Sequence, residues 1–303
     1  MDLFRQACRN RPFTQNDYLF GGKNMQQAKV WYVTGASKGL GLSLVRKLIK
    51  SGYRVAATSR QIEELKQAVG EVSEGRFLPL AVDLTQADSI QKSVEKTYET
   101  FGQIDVVVNN AGYGIGGAIE ELSEKEIVAS FEVNVFGPIN VVRSVLPYMR
   151  KQRSGHIFNI ASIAGFAPTM GWSVYAATKF SLMGLTEVLA QDVKHLGIQV
   201  TAVAPGGFRT QFNKADSLVL SADKIEDYSE IHSGHDRFVS TDGKQLGDPE
   251  KAAEVFINLA ESPNPPVQLF LGSDAYQRAS EKLVQLHEKL EANKSISFQT
   301  DFE

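Results

Sequence analysis

Seven short apolar runs alternate with longer amphipathic segments from Ala28 onward, and this alternation constrains the fold more than any other feature. Each run is rich in β-branched or aromatic residues and is bounded by Gly, Asn, Asp or Pro. Because the apolar character is nearly continuous along each run, we predict strands that are covered on both faces. The runs are KVWYVT, YRVAATS, FLPLAVD, IDVVVNN, HIFNIAS, IQVTAVAP and VQLFLG.

The segments between these runs contain helix signals. Ser123 begins the sequence S-E-K-E, which predicts a capping box with Glu126. Asp248 and Pro249 predict a second helix start, with an N-cap followed by a first-turn proline. Repeated strand–helix units imply parallel strands with right-handed crossovers. The predicted fold class is therefore α/β, a Rossmann-type doubly wound sheet of seven parallel strands with helices on both faces.

The sequence predicts one domain over residues 28–303, because no internal repeat or linker divides it. Residues 1–27 are polar and irregular, and we expect an N-terminal extension that is partly disordered. A docking tail and an upstream start before Met25 are alternatives. A polar segment at about 211–248 predicts an inserted lid or binding loop, with a plain surface excursion as the alternative.

Composition limits the classes of partner. A net charge of -3 gives no reason to expect nucleic acid or an anionic membrane. No apolar run approaches the ~20 residues that span a bilayer. Cys8 is the single cysteine, so neither an internal disulfide nor a cysteine-based zinc site is available, and no metal is predicted. We expect a cytoplasmic protein.

A glycine-rich turn, TGASKGLG, joins the first strand directly to the amphipathic segment LSLVRKLIKSG. Glycines permit positive φ and close backbone approach, and the following helix N-terminus offers unpaired N–H groups. Strand, turn and helix in this order predict a phosphate site. The predicted contacts are Gly35, Ser37, Lys38, Gly39, Leu40 and Gly41.

The spacing of this turn is G-x3-G-x-G, which differs from the commoner G-x-G-x-x-G fingerprint. TGxxxGxG is the form seen in short-chain dehydrogenases/reductases, and the chain resembles that family from about Ala28 to Gly272. The resemblance implies hydride transfer between a nicotinamide cofactor and a ketone or alcohol.

The end of the second strand bears on which nicotinamide cofactor binds. An acid there would favour NAD(H), but this sequence has Ser59 followed by Arg60, with Lys38 in the glycine turn. A hydroxyl and two cations suit a 2′-phosphate, so NADP(H) is predicted over NAD(H). The alternative is that both cations are ordinary solvated surface residues.

The resemblance implies further cofactor contacts at the ends of the third, fourth and sixth strands. Asp83 would touch the adenine ring. The alternative is that it caps a helix beginning near Thr85, and both roles can coexist. Thr210 would contact a phosphate or cap the next helix. Asn109, in the motif NNAG, is expected to stabilise the central sheet. The remaining implied contacts are Leu84, Asn110, Ala111, Gly112, Pro205, Gly206 and Phe208.

Ser162 ends the fifth strand, where doubly wound sheets place their ligands. Tyr175 follows 13 residues later, and Lys179 lies one helical turn beyond it. An ordinary helix pair is the alternative reading of Tyr175 and Lys179. Together with the glycine turn and NNAG, the three residues predict a catalytic group.

Each of these residues has a predicted role. Tyr175 would act as general acid/base, with its pKa lowered by the Lys179 cation and by the positive charge of the oxidised cofactor. Lys179 could also bind the ribose hydroxyls of the cofactor. Ser162 would hold the substrate oxygen. The resemblance adds Asn134, whose backbone carbonyl would hold a water in a proton relay to Lys179.

The predicted substrate pocket is largely apolar, which favours a hydrophobic carbonyl compound. It comprises a flexible lip YGIGG, Ile163 to Phe166, Met170, Trp172 and the 211–248 segment. NVFG, PGGFRTQF and LGSDAYQRASEKL resemble the branch containing 17β-hydroxysteroid and retinol dehydrogenases.

Two other functions remain open: an NADP(H)-sensing protein without turnover, and a sugar-nucleotide epimerase or dehydratase. The resemblance also implies a homodimer or homotetramer formed by helices around residues 123–153 and 172–196.

Overall fold

The computed structural model describes residues 28–214 and 217–302, so the predicted extension at residues 1–27 lies outside the described part. Seven strands form one parallel sheet in the order β3-β2-β1-β4-β6-β7-β9, and each lies in one of the seven predicted runs. The predicted fold class is confirmed. The strands are β1 Val30–Val33, β2 Arg54–Ser59, β3 Phe77–Ala81, β4 Val106–Asn109, β5 Gly114–Gly116, β6 Gly155–Ile160, β7 Ile198–Pro205, β8 Leu218–Leu220 and β9 Gln268–Leu271.

Helices connect the strands and cover both faces of the sheet. Within the described residues, no helix combines the length and apolar character needed to cross a membrane. The helices are α1 Gly39–Lys50, α2 Ile62–Val69, α3 Ala87–Phe101, α4 Glu124–Phe131, α5 Gly137–Gln152, α6 Ser173–Val193, α7 Ser229–Ser240, α8 Pro249–Glu261, α9 Ser273–Ala292 and α10 Lys294–Ser297.

Successive side chains along each strand point to opposite faces of the sheet and pack in two separate cores, one on each face. Tyr32 and Ile157 pack in one core. Trp31 and Phe158 pack in the other, with their rings stacked 6.4 Å apart, and Phe256 from α8 meets Phe158 edge-on. Burial on both faces explains why the strand sequences are continuously apolar.

Both predicted helix starts are confirmed. The Ser123 hydroxyl accepts from the Glu126 N–H, and the Glu126 carboxylate accepts from the Ser123 N–H. The Asp248 carboxylate accepts from the N–H of Glu250 at 2.8 Å. One helix departs from expectation, because α4 runs into α5 through a π-helical turn at Glu132–Phe136 that contains Asn134.

The glycine-rich lip is a strand, so the prediction of a flexible lip is wrong. β5 pairs in parallel with β8, which belongs to the 211–248 segment. A Cβ on Gly114 would lie 3.0 Å from the Leu218 side chain, and one on Gly116 would lie 2.9 Å from the His235 ring. The glycines are needed for close packing here.

The sheet order reverses between β1 and β4, which place their carboxyl ends side by side. In doubly wound sheets, ligands bind in the crevice at this switch point. A cleft of about 1330 Å³ lies there and is lined by residues at or just beyond the carboxyl ends of β1, β2, β3, β4, β6 and β7.

A buried chain of amide and hydroxyl groups fixes α6 to the middle of the sheet. The Asn109 amide donates to Asn159 at 2.8 Å, Asn159 donates to Thr186 at 2.9 Å, and Thr186 donates to the Leu182 carbonyl at 2.7 Å. All three side chains are buried. This contact agrees with the expectation that Asn109 stabilises the central sheet.

Replacing Asn159 with Leu removes the middle of this chain while preserving most of the side-chain volume. Because two buried polar groups lose their partner, we expect the free energy of unfolding to fall by about 2–3 kcal/mol in urea titrations. Ser144→Ala, which removes only a bond within α5, serves as the control. A loss below about 0.5 kcal/mol for Asn159→Leu would contradict the account.

Candidate active site

The glycine turn is held against the end of β4. Gly35 has φ +64°, and a Cβ there would lie 2.7 Å from the Ala111 Cα, so only glycine fits. The Asn110 amide donates to the carbonyls of Thr34 and Gly35 at 3.0 and 2.9 Å. The Thr34 hydroxyl, which the sequence did not single out, accepts from the N–H groups of Asn110 and Ala111.

The turn residues open onto the cleft as predicted, with one exception. Gly35, Ser37, Lys38, Gly39 and Leu40 line it. Gly41 packs instead beneath Asn110, whose amide nitrogen would lie 2.5 Å from a Cβ at that position. Because α1 begins at Gly39, its N-terminal N–H groups and the positive end of its dipole are presented to the cleft.

The three groups predicted to select the cofactor lie along one side of the cleft. Ser59 is the last residue of β2, and Arg60 follows it with an exposed side chain. Both line the cleft together with Lys38. The arrangement brings a hydroxyl and two cations to the site next to the glycine turn.

Asp83 and Leu84 also line the cleft, at the end of the third predicted run. The Asp83 carboxylate accepts from the N–H and the hydroxyl of Thr85 at 3.0 and 2.8 Å, which closes an Asx-type turn. Helix α3 begins only at Ala87, with Gln86 as its N-cap. The alternative in which Asp83 caps this helix is therefore wrong.

The end of β7 forms the opposite wall. Pro205, Gly206, Phe208 and Thr210 line the cleft, and a Cβ on Gly39 would lie 3.5 Å from the Thr210 Cβ. The Thr210 hydroxyl also accepts from the Phe212 N–H at 3.3 Å, which caps the short turn Gln211–Asn213. Both alternatives for Thr210 are compatible with this position.

Asp274 is a cleft residue that the sequence analysis missed. Its carboxylate accepts from the Gly207 N–H at 2.7 Å and fixes the turn that follows β7. The sequence contained one indication of this role, because Asp274 is an acid two residues beyond Gly272, where the last strand reaches the carboxyl edge of the sheet. Gly206 could not bear a Cβ, because the Asp274 carboxylate occupies that space.

Ser162, Tyr175 and Lys179 converge in the cleft as predicted. Tyr175 is hydrogen-bonded to Ser162. The Lys179 Nζ lies 5.7 Å from the centre of the Tyr175 ring and donates to the Ile160 carbonyl at 2.9 Å. The i, i+4 spacing on α6 thus places both side chains beside the end of β6.

Burial dominates the electrostatics of this group. It raises the pKa of the Tyr175 phenol to about 12, and the hydrogen bond with Ser162 only partly opposes it. Burial also lowers the pKa of the Lys179 ammonium to about 8. Desolvation of the phenolate is the larger of the two causes, and the opposing one comes from Ser162 rather than from the Lys179 charge. The expected lowering of the tyrosine pKa by Lys179 and the oxidised cofactor together stays a prediction.

Asn134 is fully buried and does not line the cleft. Its side-chain oxygen accepts from the Tyr113 N–H at 3.1 Å, and its amide donates to the Tyr113 carbonyl at 2.9 Å. A Cβ on Gly112 would lie 2.9 Å from that oxygen and 3.4 Å from the Lys179 Nζ. Asn134 therefore lies behind Gly112 and Lys179, which line the cleft.

Aromatic side chains form the rest of the cleft around Tyr175. Phe212 and Trp172 contact its ring at centroid distances of 6.0 and 6.1 Å, and Phe238 contacts Trp172 at 4.9 Å. Ile163, Ala164 and Trp172 line the cleft as predicted.

Three predicted pocket residues, Gly165, Phe166 and Met170, do not line the cleft. Met170 is 58% exposed at the surface, and Phe166 packs against Phe270 at 4.9 Å. Gly165 packs against the backbone of Lys179, so its role is to let the loop approach α6 closely.

The site fits a dinucleotide. The cradle at Gly35 and the N-terminus of α1 offer backbone N–H groups to a pyrophosphate, and the cleft continues without a break to Tyr175. The described residues contain no group of three His, Cys, Asp or Glu side chains able to hold a metal ion.

Known proteins share these features. The family model for short chain dehydrogenase matches residues 29–218. The chain is 34% identical over 252 residues to an oxidoreductase, BOA17, of Botryotinia fuckeliana, covering 83% of this chain and 91% of that one. It is 33% identical over 246 residues to a 3-ketodihydrosphingosine reductase of Bacteroides thetaiotaomicron, covering 81% and 88%.

A solved structure agrees in fold. The chain superposes on a short-chain dehydrogenase from Streptomyces avermitilis with a TM-score of 0.85 and 35% identity, covering 91% of this chain and all of that one. With the glycine turn, the parallel sheet and the Ser–Tyr–Lys group in place, these matches show that the chain belongs to the short-chain dehydrogenase/reductase family of oxidoreductases.

Proposed function

We propose that the protein is an NADP(H)-dependent oxidoreductase that interconverts a hydrophobic ketone or aldehyde and its alcohol. The observation that carries the proposal is the convergence of Ser162, Tyr175 and Lys179 in the cleft that begins at the glycine turn. Family membership supports the reaction class, and the geometry supports the roles of the individual residues.

The protein groups supply the proton and the orientation. When bound, NADPH supplies the hydride. Ser162 donates to the substrate oxygen and holds it beside the Tyr175 hydroxyl, which gives its proton to that oxygen during reduction. The raised pKa of Tyr175 keeps the phenol protonated at neutral pH, as a proton donor requires.

Lys179 has two proposed tasks. Its ammonium stabilises the phenolate that remains after proton transfer, because the ring lies 5.7 Å away in a buried site. It also offers hydrogen bonds to ribose hydroxyls, while its bond to Ile160 fixes the side chain. Asn134 supports the group from behind through Gly112, and the proposed relay water would bind at its backbone carbonyl.

The preference for NADP(H) rests on Lys38, Ser59 and Arg60. They lie on the side of the cleft where the adenosine ribose would sit, beyond the end of β2. Asp83 and Leu84 would contact the adenine, and Thr210, Gly206 and Pro205 the nicotinamide end.

The apolar chamber beside Tyr175 supports a hydrophobic substrate. Trp172, Phe212 and Phe238 supply aromatic surface, which favours lipid-like or cyclic carbonyl compounds. The relative from Bacteroides thetaiotaomicron is a reductase of a 3-keto lipid base by name, and this agrees with reduction of a ketone.

We also propose that the protein forms a homo-oligomer. The helices around 123–153 and 172–196 expose Val128, Phe136, Phe180 and Val188. Exposed apolar side chains on neighbouring helices are typical of subunit interfaces.

Replacing Tyr175 with Phe removes the proposed proton donor and keeps the ring. We expect NADPH oxidation against a panel of ketones and aldehydes to slow by about 100-fold or more, because general acid catalysis contributes on that scale. NADPH affinity should stay within a few-fold of wild type. If wild type binds NADPH but reduces no carbonyl in the panel, a sensor without turnover becomes the better account.

Replacing Arg60 with Ala removes one proposed partner of the 2′-phosphate. Loss of a charge-assisted hydrogen bond should raise the KM for NADPH about 10-fold and leave the KM for NADH nearly unchanged. The matched control is Arg76→Ala. Arg76 is an exposed arginine just before β3, at the amino ends of the strands rather than at the carboxyl ends that line the cleft. Equal effects on both cofactors would contradict the assignment.

Replacing Lys179 with Met should abolish activity yet stabilise the cofactor-free protein. The folded pKa of about 8 lies below the ordinary value of 10.5. Burying the charge therefore costs the wild type roughly 3 kcal/mol of stability below pH 8. The Met variant avoids this cost but loses the hydrogen bond to Ile160, which contributes about 1 kcal/mol. We expect the Met variant to be more stable at pH 7 by about 2 kcal/mol in urea titrations.

The stability difference between wild type and the Met variant depends on pH. Between pH 8 and 10.5 the unfolded wild type binds more protons at this lysine than the folded form does, so wild-type stability rises with pH. The advantage of the Met variant should therefore shrink between pH 7 and pH 9.5. An advantage that is absent at pH 7, or that grows with pH, would contradict the buried-charge account.

A further inference from the structure

Glu121 is a buried carboxylate that the proposed reaction does not use. It ends the short turn Ile119–Glu121, and its side chain is 0% exposed. Moving a carboxylate from water into a protein interior is costly unless hydrogen-bond donors or cations compensate. The hydrogen-bond partners of the Glu121 carboxylate therefore show which parts of the chain the buried charge holds together.

Three donors surround the carboxylate. One oxygen accepts from the Ala118 N–H at 2.9 Å, within the same turn. The other accepts from the Ile225 N–H at 2.9 Å and lies 2.7 Å from Nε2 of His232. Burial opposes ionisation, but these hydrogen bonds outweigh it and hold the pKa of Glu121 below its ordinary value.

Two of the three donors belong to residues 217–240, which we call the wall segment. The three-residue β5–β8 ladder also joins this segment to the lip, and the Ser221 hydroxyl donates to the Glu121 carbonyl at 2.8 Å. A two-stranded ladder of this length is marginal by itself. The carboxylate therefore adds two buried hydrogen bonds to the attachment of the wall segment, beside the packing of Leu218 and Phe238 in the apolar cluster around Trp172.

The wall segment reaches the catalytic helix through His235 and Phe238. Nε2 of His235 lies 3.1 Å from the Gly171 carbonyl, immediately before α6. The His235 and Phe238 rings contact Trp172 at 5.0 and 4.9 Å, and Trp172 contacts Tyr175. His232 and His235 lie one turn apart on α7. The same helix therefore carries the hydrogen bond to Glu121 and the ring contact with Trp172.

We propose that Glu121 is a positioning residue for the substrate pocket: through His232 and Ile225 it fixes the wall segment against Trp172 and so sets the size of the apolar chamber beside Tyr175. Glu121 lines a separate, smaller cavity, and its effect on the substrate is therefore indirect. The consequence for substrate binding rests on the proposed function, whereas the position of the wall segment does not.

Trp172 reports the position of the wall segment without any turnover. The sequence has two tryptophans, so Trp31→Phe leaves Trp172 as the sole indole. In that background, Glu121→Gln and His232→Ala should raise acrylamide quenching of Trp172 at least twofold. His232→Gln should resemble the parent, because its amide nitrogen can replace Nε2 as donor to Glu121. The exposed neighbour Glu124→Gln is the matched control and should not differ from the parent.

The kinetic measurement separates positioning from a general loss of structure. Glu121→Gln and His232→Ala should raise the KM for a bulky aromatic ketone at least fivefold. The kcat for a small ketone and the Kd for NADPH should stay within twofold of wild type. Unchanged quenching and KM in both variants would overturn the proposal, as would a rise in the NADPH Kd equal to that in KM. If wild type reduces no carbonyl, the proposed function fails, and the quenching measurement still decides the role of Glu121.

Discussion

The buried ammonium of Lys179 is the interaction on which the active site depends. Its hydrogen bond to the Ile160 carbonyl joins α6 to the end of β6, and its charge lies 5.7 Å from the ring of Tyr175. An ammonium with a pKa lowered to about 8 is a local cost to the fold. Other interactions of the buried scaffold offset that cost. Among them is the hydrogen-bond chain Asn109–Asn159–Thr186, which joins β4 and β6 to the same helix.

The sheet topology determines where the chemistry can occur. β1 and β4 lie side by side, and the chain continues from β1 to β2 on one side and from β4 toward β6 on the other. Their carboxyl ends therefore open a crevice between the two connections. The glycine turn occupies one end of this crevice, and Tyr175 occupies the other. The wall segment and the lip then close the chamber with aromatic side chains. The glycine turn and the apolar chamber thus belong to different parts of the chain.

Much of this arrangement could be predicted from local sequence. The seven strands, the Ser123 and Asp248 caps and the Ser162–Tyr175–Lys179 group all follow from short-range patterns and spacing. Local patterns could not show that Gly114 to Gly116 pair with Leu218 to Leu220, since that ladder joins segments about 100 residues apart. Glu121 and Asp274 were missed for the same reason, because their donors come from Ile225, His232 and Gly207. Spacing shows the cation near Tyr175 but not the burial that raises the pKa of its phenol, because burial depends on residues distant in sequence.

The central claim is that this cleft transfers a hydride to a carbonyl carbon while Tyr175 protonates the oxygen. The most direct measurement uses NADPH deuterated at its hydride-donating carbon and mass spectrometry of the alcohol formed from an aromatic ketone. We predict that wild type places one deuterium on the carbinol carbon and that Tyr175→Phe forms almost no labelled alcohol in the same time. Equal labelling by both proteins, or no labelled alcohol from a wild-type protein saturated with NADPH across the ketone panel, would contradict the account.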